Sequence, residues 1–253
     1  MTLKIRLPRD EMSVVRFDNS FNTRILTLIA TLAAVYALGS FLPGFPMVGV
    51  SGSKIDIVRA LEIGYGFILG PIYGPITAFL GALVGKTMSG GGFGMFFTPL
   101  APVSTFMAAV LSRRKVFGVQ GWVVASGVLS VMILGWYVTD VGRGAPFYPV
   151  FHAAALAIIL IFRGRLADYM GSDDKRELSM GALLCSFPST MAGHMLGNII
   201  FIVLVPTDPL FFMSLLAVSV VERVVITVLA TAIAEPLVLV VRGLYPNLIE
   251  SSS

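Results

Sequence analysis

Charge is scarce in this sequence. Asp, Glu, Lys and Arg make up 13% of its 253 residues, about half the share usual in a soluble domain. So few charges do not suit a water-exposed surface. One cysteine excludes an internal disulfide, and with only two histidines a Cys/His metal site has almost no ligands. No H-E-x-x-H and no G-x-S-x-G stretch occurs, so the motifs of zinc proteases and serine hydrolases are missing. No cofactor and no metal is expected. The formal charge of +4 does not argue for a nucleic-acid partner, because the basic residues gather at the ends of apolar segments, where membrane orientation explains them.

What is there is apolar. Hydrophobic residues make up 56% and the mean hydropathy is +0.88. The chain reads as an all-α, polytopic transmembrane helix bundle in contact with lipid. Cys185 sits in an apolar run and reads as a small core residue. Apolar runs fall at about 22–42, 57–70, 72–88, 95–111, 119–139, 146–162, 180–205 and 209–235, against about 20 residues for a span. Pro236 should break or kink the last run near Glu235. Lys4, Arg6, Arg9, Arg16 and Arg24 precede or open the first run. Arg113, Arg114 and Lys115 follow the fourth, Arg163, Arg165, Lys175 and Arg176 the sixth, and Arg242 the last. Eight crossings put all thirteen on one side, and the positive-inside rule makes that side cytoplasmic, with both termini inside a cell membrane. The turn between 57–70 and 72–88 is assigned to Gly70-Pro71 and Gly74-Pro75, since a residue before proline avoids helical geometry. The organisation expected is a basic cytoplasmic segment 1–20, a helical membrane domain 21–241 and a cytoplasmic tail 242–253. A cleavage site at "ALGS" (37–40) is the alternative for the first run, but its long basic prefix and full length favour an anchor that stays.

"GPITAFLGALVGKTMSGGGFG" (74–94) imitates a nucleotide loop. The phosphate loop needs four residues between its first glycine and G-K-[ST], after a strand. Here Gly81 and Gly85 are separated by three, no strand precedes, and Lys86 falls on the outer side. The bland reading is a small-xxx-small helix face for close packing, a snorkelling Lys86 and a flexible loop over Gly90–Gly94.

Ionisable groups at membrane depth are functional candidates by default. Glu222 and Arg223 lie near the middle of the last run. Adjacent residues do not face each other on a helix, so each is expected to meet another helix or a ligand. Ser186, Thr190, His194 and Asn198 recur every fourth residue and form a polar stripe, either a pocket wall or glue between helices. Arg59 and Glu62 can share a face and pair, after the Gly/Pro-rich loop 43–56. His152 and Asp140 flank a later outer loop, and nothing in their spacing pairs them. Phe67, Tyr73, Trp136 and Tyr137 are aromatic residues that could stack on a ring.

Three stretches carry a resemblance: "ATLAAVYA" (30–37), "DIVRALEIGYGFILGPIYGPITAFLGALVG" (56–85) and "VVERVVITVLATAI" (220–233). By pattern, over the first half and final third, the chain resembles the substrate-capture (S) components of energy-coupling factor vitamin transporters. The resemblance implies a six-helix core, with 119–162 as an added hairpin. It implies capture of a vitamin-like molecule from outside under the loop after the first span, then docking on a transmembrane T subunit driven by two ATPases. The chain would be a transport component without an ATPase motif of its own. Substrate would meet His194, Asn198, Glu222, Arg223, Thr190, Arg59 and Glu62. The T subunit would meet the alanine-x-x-x-alanine pairs Ala30/Ala34 and Ala33/Ala37. Cobalt and nickel members have His at the second residue; Thr2 here argues against metal capture. Two other classes stay open: an intramembrane enzyme using His194 with Glu222, and a structural subunit of a membrane complex.

Overall fold

A computed structural model describes residues 19–46 and 54–244. The basic prefix, the middle of loop 43–56 and the end of the tail lie outside the described residues. The chain forms the all-α membrane bundle expected of its composition. Helix α1 (Asn19–Gly39) leads into a short antiparallel pair, β1 (Gly44–Pro46) with β2 (Lys54–Asp56). The Lys54 ammonium donates to the carbonyls of Ser40 (2.8 Å) and Leu42 (2.6 Å). It thereby holds the pair against the end of α1, where helix carbonyls lack partners.

Helix α2 (Arg59–Met88) is continuous by hydrogen bonding but breaks at Gly70, whose φ is +78° and ψ −171°. Only glycine takes such a conformation without strain. The chain reverses there. A Cβ added to Gly74 would lie 2.9 Å from the Tyr65 carbonyl oxygen; nine residues along a straight helix would separate them by about 13 Å. Contacts to α1 agree. Tyr36 meets Glu62 and Leu32 meets Tyr65, so the first arm runs antiparallel to α1. Gly81 lies against Ala33 and Tyr36, and Gly85 against Ala37 and Ser40, so the second arm runs parallel to it. Of the two sites assigned to the turn, Gly70-Pro71 makes it, whereas Gly74-Pro75 is helical and belongs to the second arm. At 1.5 Å per residue the first arm is only about 16 Å long, half of a hydrocarbon core of about 30 Å.

A 3-10 helix (Gly92–Phe97) precedes α3 (Leu100–Leu111). The glycine run expected as a flexible loop is thus partly ordered, with Gly90, Gly91 and Gly92 all at positive φ. The pair β3 (Lys115–Val116) and β4 (Val119–Gln120) leads to α4 (Gly121–Val138), α5 (Asp140–Gly144), α6 (Val150–Phe162), α7 (Arg165–Gly171), α8 (Lys175–Leu204) and α9 (Pro209–Leu244). Among the described residues five helices are long and apolar enough to cross a membrane, or six if α6 and α7, bent by 78°, form one span; Ile25–Gly39 is a shorter apolar helix. That number of long apolar helices is below the eight crossings expected. Helix α2 counts once although it holds two arms, and α1 and α6 are short. Pro236 neither ends nor breaks α9. A proline costs a membrane helix one backbone bond, which neighbouring groups can replace.

The turn at Gly70 sits on Arg113. Its guanidinium donates to the carbonyls of Gly66 (3.2 Å), Phe67 (3.1 Å) and Ala109 (3.0 Å). Nearby, Arg114 pairs with Asp168 at 2.7 Å and Arg242 donates to Met170 and Ser172. Arg163 lies over Trp122, 5.6 Å from the ring centre. One end of the bundle therefore collects basic side chains. The main apolar core, with Met107, Leu111, Ile159, Leu178 and Ala192, lies above it. An aromatic cluster around Trp136, Tyr148, Phe201 and Phe212 fills the opposite end.

Candidate functional site

At that opposite end a cavity opens between α1, β2, both arms of α2, α3, α8 and α9. The empty space within its walls, open mouth included, is about 930 Å³. One wall is aromatic, with Phe97, Phe201, Phe211, Phe212 and Tyr148. Phe201 and Phe211 stack with centroids 5.8 Å apart and planes 8° apart, while Phe212 meets Phe201 edge-on.

The other wall is charged. Lys54 and Asp56 from β2 stand 3.4 Å apart. Arg59 and Glu62, one turn apart on the first arm of α2, stand 3.6 Å apart. The expected pair forms, and Glu62, 1% exposed, lines the cavity. The Tyr36 hydroxyl donates to Glu62 at 2.6 Å. Glu222 and Arg223 are 7% and 2% exposed, and their side chains meet at 3.4 Å. Each was expected to meet another helix or a ligand; among the described residues they meet each other. They leave α9 about 100° apart, yet both are long enough to bend into the same space. Lys86 also lines the cavity and donates to the Gly94 carbonyl at 2.7 Å. It does not snorkel outward. Within the described residues no carboxylate lies within ion-pair distance of it.

The stripe on α8 divides. His194 and Asn198 line the cavity. Thr190 does not, nor does Ser186; both hydroxyls are buried, without a hydrogen-bond partner among the described residues. The stripe is longer than the cavity, so its lower half runs into the core. Six of the seven residues expected to meet substrate thus come together from three helices. Ala30 and Ala34 face outward from α1, whereas Ala37 is buried and half-buried Ala33 lies against Gly81.

Sequence reasoning missed several groups. His152 on α6 stacks on His194, with centroids 5.2 Å apart and Nε2 of His152 3.2 Å from Nδ1 of His194. One ring must donate and the other accept, so the tautomers of the two rings are coupled. Forty-two positions separate them, and no local pattern could join them. Tyr148, Ser219 and the phenylalanines were equally silent. Phe67, Tyr73, Trp136 and Tyr137, named as stacking candidates, do not line the cavity. Trp136 instead packs behind its wall, 5.1 Å from Tyr148 and 4.9 Å from Phe212. Within the described residues no three His, Cys, Asp or Glu side chains gather to hold a metal.

No family model matches the chain. Among solved structures it is similar to the S-component for biotin from an ECF-type ABC transporter, with 17% identity over 87% of this chain and 94% of the other. The TM-score is 0.34, and at that score the likeness carries no argument. A sequence relative is more telling. It is "Uncharacterized protein MJ0923" of Methanocaldococcus jannaschii, 32% identical over 206 residues, which are 81% of this chain and 67% of that protein. A multi-pass membrane protein built around this cavity, the chain belongs to the family of that archaeal protein.

Proposed function

We propose that this protein captures a small organic molecule, a vitamin or related micronutrient, and passes it to an ATP-driven transporter of the energy-coupling factor type. The observation that carries the reading is the cavity, where three carboxylate–cation pairs and an aromatic wall meet at one end of a membrane bundle. Buried charge in a membrane protein is costly, and it marks pathways and binding sites. A cleft that is largely apolar with a few converging polar groups suits a small ligand. The resemblance of 30–37, 56–85 and 220–233 to S components points the same way.

In this reading His194, Asn198, Glu222, Arg223, Arg59 and Glu62 meet the substrate, and Thr190 supports His194 from one turn below. The positive-inside rule makes the basic end and both termini cytoplasmic in the cell membrane, so the cavity faces out. The Ala30/Ala34 face of α1 docks on a T subunit, and two ATPase subunits supply the energy. Ala33/Ala37 holds α1 to the second arm of α2. The test is purification from native membranes, followed by mass spectrometry of retained small molecules and identification of copurifying subunits. A vitamin-like compound together with a T-type subunit and two ATPases is expected. Protein that retains no small molecule, and whose melting temperature responds to no vitamin-type compound, overturns the reading.

A further inference from the structure

Charge and hydrogen-bonding capacity in the cavity do not balance. Four cations line it, Lys54, Arg59, Lys86 and Arg223, against three carboxylates, Asp56, Glu62 and Glu222. Each carboxylate already faces a cation at 3.4–3.6 Å. Lys86 is the cation left over. Among the described residues two buried donors on the wall, Nε of Arg223 and Nδ2 of Asn198, have no hydrogen-bond partner; the one buried acceptor on the wall in that position, Oδ1 of Asp56, lies 3.4 Å from the Lys54 ammonium. Arg223 is 2% and Asn198 8% exposed, so their vacancy costs free energy unless something fills it. A neutral or cationic ligand would leave the leftover positive charge unanswered. A cation would in addition find another cation already beside every carboxylate. A ligand with one negative charge and acceptor oxygens answers both imbalances. Facing these donors is a wall of phenylalanines that offers flat apolar surface to a ring.

From this we infer that the captured molecule is a singly charged organic carboxylate on a flat, ring-containing apolar body. Its carboxylate sits against Arg223 and Asn198 within the field of Lys86, and its body lies on Phe97, Phe201, Phe211 and Phe212. The inference rests on the capture reading above and narrows it to a ligand class.

The experiment uses the full chain in detergent and three probes that share one body: 3-phenylpropionate, 3-phenylpropionamide and 3-phenylpropylamine. Molecules extracted from the purified protein are analysed in parallel by mass spectrometry. The acid should bind about 10- to 100-fold more tightly than the amide, as one or two charge-assisted hydrogen bonds allow, and the amine should bind least. Arg223→Gln should abolish the acid-over-amide preference while amide binding persists. If that variant does not fold, Lys86→Gln should still lower acid affinity selectively. Equal binding of acid and amide, or preference for the amine, overturns the carboxylate class. A retained molecule that is cationic or a neutral sugar does the same while leaving capture itself intact. If no probe binds and the retained molecule is not an acid, the inference fails; if nothing at all is retained and no vitamin-type compound shifts melting, the capture reading fails with it.

Discussion

Replacing Gly81 by alanine separates two readings of the stretch that imitates a nucleotide loop. On propensity alone, Gly→Ala inside a helix gains about 1 kcal/mol. Packing opposes it. The added Cβ would lie 2.6 Å from Cβ of Tyr36 and 3.0 Å from the Ala33 carbonyl oxygen. Neither atom is the loose end of a side chain. Tyr36 is buried and anchored at its far end by the 2.6 Å bond to Glu62. Helix α1 must therefore retreat by close to 1 Å to restore ordinary contact, at a cost of about 1–3 kcal/mol for overpacking. The net effect is a loss of up to about 2 kcal/mol, or a fall in Tm of up to about 8 °C for a chain of this size. Gly127, on α4, is the control. A Cβ there meets nothing within 4 Å, so Gly127→Ala should raise Tm by about 2–4 °C through propensity. The assay is built into the protein. Cys185 is its one thiol and is fully buried, so a thiol-reactive fluorophore reports unfolding. If Gly81→Ala raises Tm as Gly127→Ala does, the close approach of α1 to the second arm of α2 is wrong.

Three further outcomes are expected. Arg113→Met removes the donors to three carbonyls around the Gly70 turn; unmet buried acceptors at about 1–3 kcal/mol each should lower Tm by at least about 5 °C, and an unchanged Tm in the same thiol assay would sink the capping role. Tyr36→Phe deletes the hydroxyl that donates to Glu62, a buried carboxylate, and should cost about 1.5–3 kcal/mol in thermal stability; urea or thermal melts that match the parent would show that the bond contributes nothing. Ala34→Trp puts bulk on the outward face of α1, so it should abolish copurification of a T-type subunit and leave Tm unchanged; retained copurification would remove this face from the docking surface.

Class was readable because it rests on composition, which needs no partner: a chain so poor in charge cannot be a soluble domain. The reversal at Gly70 was readable because glycine before proline is a local rule. The length of each arm was not, since apolar runs merge without a marker where one helix turns back against its neighbour. Arg59, Glu62, His194, Asn198, Glu222 and Arg223 stood out as polar residues in apolar runs. Thr190 stood out equally and yet lies below the cavity, because periodicity identifies a helix face and not how far along it the open space extends. His152, Tyr148 and the phenylalanine wall gave no signal, since aromatic residues are common throughout membrane helices and their meeting is a product of tertiary packing.

Lys86 shows why topology alone misjudges a membrane lysine. At the end of a helix its default is to snorkel toward water, and the sequence offered no reason to expect otherwise. The second arm of α2 is drawn tightly against α1 by Gly81 and Gly85, and that contact fixes the rotation of the arm. Lys86 follows Gly85, and in this rotation its side chain enters the cavity and reaches Gly94. The 3-10 helix that begins at Gly92 brings that carbonyl back toward the arm. The glycines thus contribute to the site indirectly: they set the helix rotation that places a cation with no carboxylate partner among the described residues beside three paired ones.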